Sequence, residues 1–105
     1  MVRYRNEVSI LLLNIIDKHI RSKNYKSARK YYKNLFEIKN VTLDNMYLQS
    51  MIKYFGEILD FIEGKVEVEA EEKILKIIEV FYFLDMEHKA RQCKLLFDLV
   101  KSEKI

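Results

Sequence analysis

A chain of 105 residues with no proline and only two glycines, Gly56 and Gly64, has few ways to reverse through tight hairpins. Sheets joined by short turns need those residues at their reversals, because the turns demand a preset or a positive φ. Apolar residues recur instead at the 3.6-residue period along most of the chain, which predicts an all-α fold of about five helices. The length supports one domain over residues 1–105, large enough for a core but short for an elaborate enzyme.

The first helix is expected at about Asn6 to Ser22, with Val8, Leu11, Leu12, Ile15, Ile16 and Ile20 facing inward. A polar break at Asn24 precedes a second helix from about Tyr25 to Ile38, which would bury Ala28, Tyr31, Tyr32, Leu35 and Ile38. The third, about Asp44 to Glu63, opens on Asp44 as a cap and confines its polar residues to one stripe of Gln49, Lys53, Glu57 and Asp60. Its remaining circumference is apolar, so it belongs in the middle of the molecule, with Gly64 ending it. The fourth helix, about Val66 to Leu84, begins among Glu67, Glu69, Glu71 and Glu72, which suits the positive end of a helix dipole. Glu69/Lys73 and Glu72/Lys76 stand at pairing distance along it. Asp85 is placed to cap the fifth, about Met86 to Lys101, whose inner face holds Ala90, Cys93, Leu96, Phe97 and Val100.

Two segments, "KNYKSARKYYKNL" and "LDMEHKARQCKLL", place an alanine in the first turn of a helix, Ala28 and Ala90. Small residues there let the helices of a hairpin approach closely. The expected architecture is a tetratricopeptide-like, right-handed superhelical stack of antiparallel hairpins. The repeat is degenerate, since aligning on Ala28 brings Ile16 to a position that wants a small side chain.

Little in the sequence points to catalysis. His19 and His88 lie on different helices without metal-ligand spacing, no glycine-rich phosphate loop is present, and Cys93 falls on an inward face where thiols are inert. No catalytic residue, metal or cofactor is expected. A lone cysteine cannot form an internal disulfide, which fits a reducing cytoplasm, and no apolar run reaches the roughly 18 to 20 residues of a membrane span.

Charge is distributed unevenly. Residues 18–39 carry eight Lys/Arg against one Glu, and residues 57–72 carry seven Asp/Glu against one Lys. Lys26, Arg29, Lys30 and Lys33 on the second helix could meet phosphates, but exposed lysine on a helix is ordinary and no helix-turn-helix is recognisable. The run "VFYFL", Val80 to Leu84, covers more than a full helical turn, so something must lie on both sides of it: core, a second subunit or a ligand.

"KILKIIEVFYFLDMEHKARQCKLLFDLV" (Lys73 to Val100) resembles the end of the C-terminal helical-repeat region of Rgg/GadR/MutR-type transcriptional regulators. "RSKNYKSARKYYKNLFEI" (Arg21 to Ile38) is similar to an earlier hairpin of the same region. The resemblance implies a regulatory domain that binds a short hydrophobic peptide on its concave side and forms a homodimer. DNA would be contacted only by a helix-turn-helix domain that these residues lack. If the first helix of each hairpin lines the concave side, Asn14, Gln49 and Lys53 are the polar fixtures of a peptide site. Phe81, Phe83 and Phe97 are the aromatic candidates for the dimer contact. The alternative is a homodimeric helical adaptor with no small ligand.

Overall fold

The computed structural model describes residues 2–38 and 46–103. They form five helices: α1 (Val2–Arg21), α2 (Tyr25–Ile38), α3 (Met46–Ile62), α4 (Glu67–Phe83) and α5 (Glu87–Glu103). No strand occurs among the described residues. The expected all-α fold is present, with α2 at its expected bounds and the others within a few residues. The largest difference is α1, which starts at Val2 because nothing in the preceding residues breaks a helix before Asn6. Asp44, the expected cap of α3, lies outside the described residues.

Successive helices pack as hairpins in the pairs α1/α2, α3/α4 and α4/α5, and α3 also touches α1, α2 and α5. Its apolar circumference is the cause: Leu48, Met51, Ile52, Tyr54, Phe55, Ile58, Leu59 and Phe61 are all buried. Phe61 meets Phe97 of α5 edge-on at 5.3 Å between ring centres. Burial of each such large side chain stabilises the fold by about 1.5–3 kcal/mol.

Three turns share one solution. Each helix ends with the bond pair of a Schellman motif, its C′ residue left-handed: Lys23 after α1, Gly64 after α3 and Asp85 after α4. In each, the backbone N–H two residues past the helical cap returns to the carbonyl five residues earlier: Asn24 to His19, Lys65 to Asp60, and Met86 to Phe81. Gly64 thus does what its position suggests. Asp85 does not cap α5; it closes α4, and the carbonyl of Met86 receives the first bond of α5, from Ala90. The first turn of the next helix then carries a fully buried alanine, Ala28, Ala70 or Ala90, so the helix after each turn packs closely.

The run "VFYFL" has an unexpected outcome. Phe81 is fully buried, but Val80, Tyr82, Leu84 and above all Phe83, 87% exposed, are not. Within this chain only one of the five is covered. In α1 the buried face is Ser9, Leu13, Ile16 and Ile20, while Leu11 is exposed. The unbroken run Ile10–Leu13 carries no phase of its own, and the position of α3 decides which side faces in.

Candidate ligand-binding site

Three helices each turn one stripe toward a common cavity of about 240 Å³. From α1 come Ile10, Leu13, Asn14, Asp17 and Arg21; from α3, Tyr47, Met51, Tyr54 and Phe55; from α5, Lys89, Gln92, Cys93 and Leu96. Each set follows three- and four-residue steps, as it must to share one helix face. The apolar members form the wall, while the amides of Asn14 and Gln92 and three charged groups stand among them.

Two hydrogen-bonded links fix the geometry. The buried Tyr54 hydroxyl donates to the Cys93 carbonyl at 2.6 Å, tying α3 to α5 beneath the cavity. Burial raises the pKa of that hydroxyl far above its ordinary value, so it remains a donor. The Tyr25 hydroxyl donates to Glu103 at 2.6 Å and the Lys23 ammonium lies 3.7 Å from the same carboxylate, anchoring the end of α5 to the α1/α2 turn. Burial first, and then Glu103, push the Tyr25 pKa up to about 12. The α5 wall of the cavity is thereby tied to α3 and, at its end, to the α1/α2 turn and the start of α2.

Charges in the cavity are unequally matched. Arg21 Nε bonds Asp17 Oδ2 at 2.9 Å, one turn away on the same helix. Among the described residues Lys89 has no such partner; its ammonium sits 5.6 Å from the centre of the Tyr47 ring, a cation over a π face. Burial pushes the Cys93 thiol up to about 12, so it stays protonated at neutral pH and is a weak nucleophile. His19 stacks on Tyr31 with ring centres 5.5 Å apart, and His88 lies within hydrogen-bond distance of Gln92. Among the described residues no group of His, Cys, Asp and Glu could hold a metal ion.

Of the three residues expected in a peptide site, only Asn14 lines this cavity. Lys53 lies in a second groove of about 350 Å³ with Glu57, Lys73, Lys76, Ile77 and Val80, between α3 and α4. Gln49 is half-buried and lines neither space. The polar stripe of α3 therefore turns away from the cavity, and the apolar stripe faces it. Phe81 and Phe97 are inside the monomer core, which leaves Phe83 as the exposed member of the three aromatic candidates. Asp17, Arg21, Lys89 and Gln92 escaped sequence reasoning, although each sits at helical spacing from apolar neighbours, the one signal that could have marked them. Lys73 reaches Glu57 at 3.9 Å and not Glu69. In the basic stripe of α2, Arg29 is engaged by Asp60 and Glu63 at 2.9 and 2.7 Å.

Fold and cavity together define an all-α domain in which three helices hold a small recess between them. No helix among the described residues is long and apolar enough to cross a membrane. The chain belongs to the family described as HTH-type transcriptional regulator Rgg, C-terminal domain, whose family model matches residues 1–95. It is thus a regulatory domain of the transcriptional-regulator type, as the segments Arg21–Ile38 and Lys73–Val100 suggested. Neither curated proteins nor solved structures gave a match.

Proposed function

We propose that this domain senses a short hydrophobic peptide in the cavity between α1, α3 and α5, and that it works as a homodimer. The observation carrying the first part is the mixed lining: Leu13, Met51, Tyr54, Phe55 and Leu96 supply apolar contacts, and the Asn14 and Gln92 amides and the charged Asp17, Arg21 and Lys89 stand among them. Apolar walls supply affinity and a few polar groups fix orientation. The packing of α1, α3 and α5 side by side, each followed or preceded by an antiparallel partner, is compatible with a tetratricopeptide-like stack whose first helices line the ligand side. None of the five helices is assigned to DNA, which would be left to a helix-turn-helix domain of the regulator.

Dimer formation draws support from the last hairpin. Val68, Leu75, Tyr82 and Phe83 on α4 and Leu95 and Leu99 on α5 are exposed apolar side chains that a second copy of the chain would cover. The same surface favours the second reading, an adaptor that dimerises without a ligand. Thermal unfolding with and without short apolar peptides, followed by sedimentation, separates the two. A peptide-dependent rise in Tm that disappears in Asn14→Trp, which plugs the rim of the cavity, supports sensing. Dimers without any peptide effect would support the adaptor. Phe83→Glu should turn dimers into monomers with helicity unchanged.

A further inference from the structure

Among the described residues, Lys89 is the one cation of the cavity that no carboxylate neutralises. Arg21 is bonded to Asp17, whereas Lys89 takes part in no ion pair among the described residues. With Lys89 and Arg21 positive and Asp17 negative, the lining carries one net positive charge. The Lys89 side chain is half-buried and its ammonium rests over the Tyr47 ring, so it is held at the wall of the cavity. At about 240 Å³ the space falls below the roughly 300–1,000 Å³ usual for whole small-molecule ligands. It suits the end of a chain better than the middle of one.

We propose that the cavity takes the free carboxyl end of an apolar peptide, with the Lys89 ammonium receiving the carboxylate and the Asn14 and Gln92 amides bonding the last peptide groups. This rests on the peptide reading of the cavity and adds the direction in which the ligand lies. An ammonium over an aromatic face next to an apolar wall matches a carboxylate attached to an apolar side chain: the charge is met at one point, and the body of the last residues by Leu13, Met51 and Leu96. An amidated end would keep the apolar contacts and leave the ammonium unpaired.

The test uses pooled N-acetylated tripeptides of Leu, Ile, Val and Phe, as free acids and as C-terminal amides, titrated calorimetrically into the full chain. The acids should bind at least tenfold tighter than the amides. Lys89→Gln should remove that preference and Lys89→Arg should keep it, with circular dichroism unchanged in both. Equal affinity for acids and amides overturns the carboxylate assignment and leaves the peptide site intact. A preference that persists in Lys89→Gln overturns the role of Lys89. Heat from neither series overturns the peptide reading itself. Decanoate carries the same carboxylate on a plain hydrocarbon and should bind more weakly than the acids, because it offers the two amides nothing; equal or tighter binding reassigns the site to aliphatic acids.

Discussion

At the scale of single residues, the turn before α4 holds the clearest strain. Val66 is left-handed at φ 42°, a β-branched side chain in a region that favours glycine and asparagine, and it supplies no side-chain cap to α4. Gly64, two residues earlier, has already taken the left-handed position that closes α3. Val66→Asn should relieve the strain and give α4 a capping side chain, raising stability by about 1 kcal/mol in urea denaturation. An unchanged or lower midpoint would contradict that account of the turn. Gly64 was legible from the sequence because glycine has one obvious use after a helix. Lys23 was not, since nothing in a lysine announces a left-handed backbone, and Asp85 was not, since an aspartate just before a helix reads equally well as its N-cap.

At the scale of helices, α2 meets α3 through a close approach and an ionic clasp. A methyl group on Gly56 would overlap the Tyr32 hydroxyl, so this mid-helix glycine makes room for α2. In a Tyr32→Ala background, Gly56→Ala should stabilise by about 1 kcal/mol through helix propensity, whereas with Tyr32 present the overlap should cancel or reverse the gain. The same gain in both backgrounds, measured by urea unfolding, would remove the steric explanation. The clasp is Arg29, whose Nη2 bonds Asp60 and Glu63 and whose Nε bonds Glu63 at 3.1 Å. The hydrogen bond from Arg29 holds the Glu63 carboxyl below its ordinary range. A carboxylate depressed in the folded state contributes stability above its unfolded pKa of about 4.3, and that contribution is lost as pH falls through the folded value. Glu57, raised by burial, works in the opposite sense. Acid titration of stability should therefore show a loss below about pH 4 that Glu63→Gln flattens. An identical slope in that variant would mean that the clasp adds nothing.

At the scale of the whole molecule, the uneven charge has a structural use. The basic segment 18–39 and the acidic segment 57–72 are drawn together at the α2/α3 seam, where Arg29 meets Asp60 and Glu63, so part of the basic stripe is already paired. Fold class could be read from the scarcity of glycine and proline together with the 3.6-residue period, and the central place of α3 from its apolar circumference, which has no other resting place. The cavity could not. Its lining comes from three helices whose relative rotation is set by packing, and periodicity within one helix cannot say which stripes will converge. That is why Asn14 lines the cavity together with Lys89 of α5, while Lys53 lies in the groove between α3 and α4.

The central claim, that the recess between α1, α3 and α5 is where a short apolar peptide binds, is tested most directly by methyl-resolved NMR during a peptide titration. The account predicts shifts concentrated at Leu13, Met51 and Leu96, which line the recess, with Ile77 and Val80 of the α3/α4 groove left in place. Shifts confined to Ile77 and Val80, or methyl signals that stay still at saturating peptide, would contradict it.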